Sequence, residues 1–205
     1  MLAGRLLFRG AVTALILLAT ACVNPSIQPQ SPQQWSAHRD SVAALQQWQV
    51  SGKIALRSDV ASESANLRWQ QNEQHARLLL SGPLGVGATT IDSDGSKLEI
   101  QQGGEYRIMD ISTPTAVVLN TGWDLPLRAL PYWLKGIPSP DYPIQAQAFE
   151  EQSAQLRSLH QDGWTIEYES YQQFAALTLP TRIVIQRDVT RVKLLLRDWQ
   201  DLAQQ

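Results

Sequence analysis

The chain has 205 residues, 17 of them basic and 19 acidic, with 43% hydrophobic residues, seven Trp and one Cys. Removal of a leader that carries Arg5 and Arg9 leaves 15 basic against 19 acidic residues, a net charge of −4 that argues against nucleic-acid binding. One Cys cannot form an internal disulfide, so the roughly 170 residues beyond the leader and its linker must fold by packing and hydrogen bonding around a single core.

Residues 1–21 read as an export signal. Arg5 and Arg9 supply the positive region, Ala11 to Leu18 the apolar region, and Ala19-Thr20-Ala21 a small-residue cleavage site. The apolar run is shorter than the roughly 18 residues that a membrane-spanning helix needs. Cys22 follows at once. The arrangement resembles the lipobox of bacterial lipoproteins, in which this Cys becomes the lipidated first residue; Ala19 departs from the Leu most often found at its position. In lipoproteins an Asp after the Cys signals retention in the inner membrane. Here that residue is Val23, so the resemblance directs the protein to the outer membrane. Residues 22–34 form a lipidated terminus and flexible linker, with Pro25, Pro29 and Pro32 among Ser, Gln and Asn, and residues 35–205 form one domain.

Ser31-Pro32 starts a helix whose face carries Trp35, His38, Val42 and Leu45 and whose end falls near Gln47. His38 there reads as a core-edge histidine. The period then changes to two. Trp48, Val50, Gly52, Ile54 and Leu56 alternate with polar residues, as do Ala65, Leu67 and Trp69, and then Ala76, Leu78 and Leu80. Thr89 to Ile91, Leu98 to Ile100 and Tyr106 to Ile111 follow, separated by Asp94-Gly95 and Gly103-Gly104, which are hairpin turns. A second helix opens at Thr113-Pro114 and closes at Gly122. A third runs from Leu125-Pro126 to Gly136, with Pro131 kinking or breaking it. After a loop with Pro138, Pro140 and Pro143, strands resume at Leu156 to His160, Trp164 to Tyr168, Leu177 to Leu179, Arg182 to Arg187 and Val192 to Trp199. The expectation is a mainly β fold of ten or eleven antiparallel strands, strongly curved, with three short helices lying across it as a lid. Alternation leaves open whether the interior is filled or hollow, and which strand face is the inner one.

One loop stands apart. Ser81-Gly82-Pro83-Leu84-Gly85-Val86-Gly87 has the Gly and Pro of a turn but an apolar tip. Leu84 either folds back onto the core or is exposed as a probe that meets lipid or a lipid-like partner. The seven Trp divide in the same way: most serve as large core residues, and the alternative is a surface or cavity that handles acyl chains.

No catalytic or metal signature emerges. The Gly82-x-x-Gly85-x-Gly87 pattern lacks the Lys-Ser/Thr and the strong helix of a phosphate loop, and there is no Gly-x-Ser-x-Gly elbow. His38, His75 and His160 lack metal-ligand spacing. Asp92, Asp94, Glu150 and Glu151 fall near turns, where solvated acids are ordinary, so no enzyme and no cofactor are expected.

The set of motifs, in order and along nearly the whole mature chain, resembles the LolB family. It comprises Cys22, Trp48-x-x-x-Gly52-Lys53-Ile54-Ala55, Trp69-Gln70-Gln71 and Leu78-Leu79-Leu80-Ser81-Gly82-Pro83-Leu84-Gly85. It continues with Leu130-Pro131-Tyr132-Trp133-Leu134-Lys135-Gly136-Ile137-Pro138, Gly163-Trp164, Leu179-Pro180 and Trp199. The resemblance implies an incomplete antiparallel β-barrel of about eleven strands, with helices over a hydrophobic cavity. It further implies a monomeric outer-membrane lipoprotein, anchored on the periplasmic face, that takes lipoproteins from a LolA-type carrier. It would bind their acyl chains and insert them into the inner leaflet. By the same resemblance Pro83, Leu84 and Gly85 form the membrane-insertion loop and Cys22 carries the lipid. The acyl-chain lining would draw on Ile54, Leu56, Leu67, Trp69, Leu78, Leu80, Ile91, Leu98, Ile100, Trp164 and Ile166, with Leu130 and Trp133 from the lid. The competing readings are a soluble LolA-like carrier and a structural or assembly lipoprotein with a solid core.

Overall fold

The computed structural model describes residues 32–59, 62–82, 85, 87–113, 115–116 and 126–203. Cys22, Pro83, Leu84 and Val86 lie outside the described residues, as does most of the helix expected from Thr113 to Gly122. The chain runs α1 (Pro32–Ala43), β1 (Gln47–Arg57), β2 (Ser62–Asn72), β3 (His75–Ser81), β4 (Thr89–Ser93), β5 (Lys97–Gln102) and β6 (Glu105–Asp110). Then come α2 (Leu130–Trp133), β7 (Ile144–Phe149), β8 (Leu156–Gln161), β9 (Trp164–Phe174), β10 (Leu177–Arg187) and β11 (Thr190–Asp201).

All eleven strands form one antiparallel sheet in the order β6-β5-β4-β3-β2-β1-β11-β10-β9-β8-β7. Every neighbour pair is consecutive in sequence except β1 with β11, so this seam joins the two halves. The sheet stays open between β6 and β7. The turns have the chemistry that tight hairpins need: both residues of Gly103-Gly104 and of Asp162-Gly163 take positive φ.

Two helices are present among the described residues, where three were expected. α1 ends four residues before Gln47, because Gln47 already pairs with Asn72 as the first residue of β1. α2 is a single turn. Pro131 stands in its first turn and so starts the helix rather than breaking it. Gly136 closes it with φ +80, its N–H donating to Trp133 O (3.1 Å) while Ile137 N–H donates to Tyr132 O (3.2 Å). Strand number agrees with expectation through two compensating differences. β7 was not anticipated: its alternation between Ile144 and Phe149 rests on the small Ala146 and Ala148, and this edge strand is exposed along most of its length. The runs on either side of Pro180 are one strand, β10, with a register irregularity between Pro180 and Arg182 that accommodates the missing N–H.

One face of the sheet is buried. A single apolar cluster takes in Leu67 and Trp69 of β2, Trp48 and Val50 of β1, Leu194 and Leu196 of β11, Ile166 of β9 and Phe149 of β7. Strands so far apart in the order share a core only because the sheet curls. Trp35 and Val42 of α1, and Trp133, Leu134 and Ile137 around α2, cover the same face. Six of the seven Trp are described, and all six are buried there.

Candidate functional site

The register decides which strand face looks inward. Trp69, Leu78, Ile91 and Ile100 stand directly opposite one another across β2, β3, β4 and β5. Leu67 faces Leu80, Ile54 faces Leu194, Leu56 faces Val192, and Ile166 lies between Leu159 and Ile185. Directly paired residues share a face. The eleven strand residues expected to line an apolar interior therefore all point to the side that the helices cover, and Leu130 and Trp133 pack against that side from α2.

A recess of about 470 Å³ opens between this face and α2. Its sheet wall includes Trp48, Trp69, Leu78, Ile91 and Leu98, and its lid wall Leu127, Leu130, Pro131 and Tyr132. Five of the thirteen expected lining residues (Trp69, Leu78, Ile91, Leu98 and Leu130) border it. The other eight pack into the apolar clusters beside it: Ile54, Leu56, Leu67, Leu80, Ile100, Trp133, Trp164 and Ile166.

Aromatic rings build the floor. Trp48 lies 5.1 Å from Trp199 and 5.9 Å from Trp69, centroid to centroid, so three indoles run across β11, β1 and β2 into the recess. Two of the three have their polar edges satisfied: Trp69 Nε1 donates to Gln71 Oε1 (2.8 Å), and Trp199 Nε1 donates to Pro180 O (3.1 Å). Gln71 in turn donates to Glu73 O (2.8 Å), so this buried amide is satisfied, while Gln46, Glu73, Gln74, Arg128, Lys135 and Asp141 give the recess a polar side beside its apolar wall.

The lid is held by polar contacts that the motifs did not reveal. Gln161 of β8 is fully buried. Its Oε1 accepts from Trp133 Nε1 (2.8 Å) and Ser139 N (2.9 Å), and its Nε2 donates to Ser139 O and Tyr142 O, both at 2.8 Å. Lys135 is also buried. Its ammonium donates to Leu45 O (2.9 Å), tying the end of α2 to the end of α1, and it lies 5.7 Å from the Tyr132 ring centroid. Burial pushes its pKa down to about 8. A lysine inside the apolar run Trp133 to Ile137 was the available signal. Gln161 followed Leu159 at period two, so its inward direction was also readable.

The carboxylates near turns have structural work. Asp92 pairs with Arg77 at 2.7 Å. Asp94 accepts from the N–H groups of Ser96 and Lys97, which hold its carboxyl down at about 2. His38 is half-buried beside Trp35, and burial pushes its imidazole pKa down, in keeping with a core-edge residue. Gly85 and Gly87 are exposed, at φ +79 and +68, and a Cβ added to either would meet nothing within 4 Å.

The architecture defines a class: an open antiparallel half-barrel whose apolar inner face is lidded by helices. The family described as "Outer membrane lipoprotein LolB" matches residues 46–199. The chain therefore belongs to the LolB family of outer-membrane lipoproteins, and its role is that of an outer-membrane lipoprotein receptor. It is 34% identical over 190 residues to the outer-membrane lipoprotein LolB of Stutzerimonas stutzeri, covering 91% of each chain. It is 33% identical over 193 residues to that of Pseudomonas fluorescens, covering 92% of this chain and 93% of the relative. Among solved structures it is similar to a DUF1329-family protein from Desulfovibrio piger, with a TM-score of 0.51 at 7% identity over 82% of this chain and 93% of that one. A LolA-superfamily protein from Nitrosomonas europaea aligns with a TM-score of 0.45 at 10% identity, over 80% of this chain and 93% of that one.

Proposed function

We propose that this protein, acting as a monomer, accepts lipoproteins from a LolA-type carrier and holds acyl chain in the recess under α2. It then releases the chains into the inner leaflet of the outer membrane, where Cys22 anchors it. The observation that carries this reading is the recess itself, with Trp69, Leu78, Ile91 and Leu98 facing Leu130 and Pro131. The problem it solves is solvation. A triacylated terminus exposes on the order of 45 methylenes, and at about 0.8 kcal/mol each their passage through water is prohibitive. Continuous apolar contact removes that barrier, and transfer then runs down a gradient of affinity.

Size adds a condition. At about 30 Å³ per methylene, taken as similar to a water, 470 Å³ holds roughly 15 methylenes, or one chain. Three chains need the lid to move. Residues 126–143, with α2 among them, belong to no strand pair, so they can move without breaking one. In this reading Pro83, Leu84 and Gly85 form the membrane-insertion loop. The open space around Gly85 and Gly87 supports an outward loop.

The test is binding of a fluorescent fatty acid to the mature chain. Saturable binding that is lost in Ile91→Asp and Leu98→Asp, each with an unchanged far-UV spectrum, is the expected result. Wild-type protein that takes up no probe would leave the reading without its central support.

A further inference from the structure

Charge is segregated on the outer face in a way that the net charge hides. The outward positions of four adjacent strands, β2, β1, β11 and β10, carry Arg68, Lys53, Arg57, Arg191, Lys193, Arg197 and Arg182, all exposed. No acid occupies an outward position of β1 or β2. The flanking acids are Glu167 and Glu169 on β9, Asp188 in the β10–β11 turn, Asp59 just past β1 and Asp198 beside Arg197; Arg182 lies 4.0 Å from Glu169, and Arg197 3.9 Å from Asp198. Among the described residues, Lys53, Arg57, Arg68, Arg191 and Lys193 have no carboxylate within 4.0 Å, the distance that bounds an ion pair. Arg57 and Arg191 stand directly opposite each other on β1 and β11. Like charges placed so destabilise a sheet. The fold gains nothing from the arrangement, so it points to something outside the fold.

Apolar residues are interleaved with the cations. Leu79 (38% exposed) lies opposite Arg68, and Leu195 (47% exposed) lies between Lys53 and Arg182. Val189, 65% exposed, caps the hairpin just above the Arg57–Arg191 pair. A trough of about 610 Å³ runs here, with Ala55, Val184 and Leu195 between Lys53, Lys193 and Arg182 and with Glu169 at its rim. Strand spacing of about 4.8 Å and a rise of about 3.3 Å per residue make the patch roughly 15 by 20 Å. It is broad and shallow, a surface rather than a pocket.

We propose that this outer face docks on an anionic phospholipid surface. The cations meet headgroup phosphates, and Leu79, Leu195 and Val189 reach the interfacial zone. The inference rests on the outer-membrane reading above for the nearness of a bilayer, and goes beyond it in assigning the face. Charge complementarity selects an anionic partner. Mixed cationic and apolar side chains over a wide, shallow area suit headgroups, because basic side chains extend along apolar surface to reach phosphate. The linker from Cys22 to α1 has about ten residues, which at full extension reach roughly 33 Å, so anchor and face can engage one bilayer. The cations then hold the barrel at a fixed attitude to the membrane.

The test uses the full mature chain carrying Cys22→Ala, so that the anchor does not dominate binding. The probes are vesicles of phosphatidylcholine alone and with about 30 mol% phosphatidylglycerol. The expected result is co-sedimentation with the anionic vesicles only, and release at about 0.5 M salt, where the Debye length shrinks to a few ångström. The quadruple variant Lys53→Gln/Arg57→Gln/Arg191→Gln/Lys193→Gln loses at least about tenfold in that binding, with unchanged melting and unchanged fatty-acid uptake. Equal binding to neutral vesicles, or an undiminished variant, overturns the proposal. So does a variant that binds vesicles normally but accepts lipoprotein poorly from its carrier, since the face then serves an acidic protein. Failure of fatty-acid uptake in the wild type would instead defeat the receptor mechanism and leave this result standing.

Discussion

The indole N–H of Trp133 donates to the side-chain carbonyl of Gln161 at 2.8 Å, with both residues fully buried. This bond joins the lid helix to β8, and the same amide also holds Ser139 and Tyr142 of the loop that follows. A buried amide with all its bonds made is inexpensive, but its removal leaves an indole N–H, a backbone N–H and two carbonyls unpaired. Gln161→Ala is therefore expected to cost about 3 kcal/mol and to lower Tm by roughly 10 °C. It should also speed exchange of a bound fatty-acid probe. A melt within about 2 °C of wild type would mean that water or neighbours replace the amide easily.

Gly52 is fixed by the seam between β1 and β11. A Cβ placed on it would lie 2.0 Å from Leu195 O, which is backbone and has no rotamer to yield. The β1–β11 register also shifts between Gln49 and Ser51, just before this close approach. Because this pair alone connects the two halves of the sheet, Gly52→Ala should cost about 3 kcal/mol or more. Urea unfolding measures it; a loss below about 1 kcal/mol would show that the seam can part without penalty.

These two residues show what was readable in the sequence and what was not. Alternation grouped the inner-face residues strand by strand, but which face looks inward was settled only by the register, where Trp69, Leu78, Ile91 and Ile100 stand opposite one another. Gly52 stood in a motif, but its reason, a backbone approach from a strand some 140 residues later, is a property of the seam. β7 was overlooked because its alternation rests on Ala146 and Ala148, too small to mark a buried face, and the edge strand is mostly exposed. The recess could not be outlined either. Its lid wall depends on where one turn of helix lands, and Lys135 and Gln161 fix that position through bonds to elements distant in sequence. The seven cations were visible singly, but their gathering on one face depended on β1 pairing with β11.

Lys135 gives the protein an unusual dependence on alkaline pH. Its pKa in the folded state is about 8, below its ordinary 10.5, because burial disfavours the ammonium. Between those values the unfolded chain binds more protons than the folded one, so stability rises with pH across the window. Below about 8 both states are charged and the folded protein bears the full cost, at most roughly 3 kcal/mol. Burial pushes the phenols of Tyr168 and Tyr171 up, which opposes the trend only above their ordinary range near 10. Urea midpoints should thus climb from about pH 7.5 to 9.5, and Lys135→Met should remove the climb. A wild-type midpoint that stays flat over this range would show that the ammonium is solvated.

Loading and delivery should separate at Leu84. The residue belongs to a loop flanked in sequence by Gly82, Gly85 and Gly87, between β3 and β4. A charge introduced there opposes entry into a bilayer, where an apolar side chain contributes roughly 2 kcal/mol and a carboxylate is strongly disfavoured. Leu84→Glu is expected to melt normally, to take up fatty-acid probe normally and to accept lipoprotein from its carrier. It should deliver little of it to liposomes. Leu84→Phe, which keeps an apolar tip of larger size, should deliver at near the wild-type rate. Release into liposomes at the wild-type rate by Leu84→Glu would remove the loop from the insertion step.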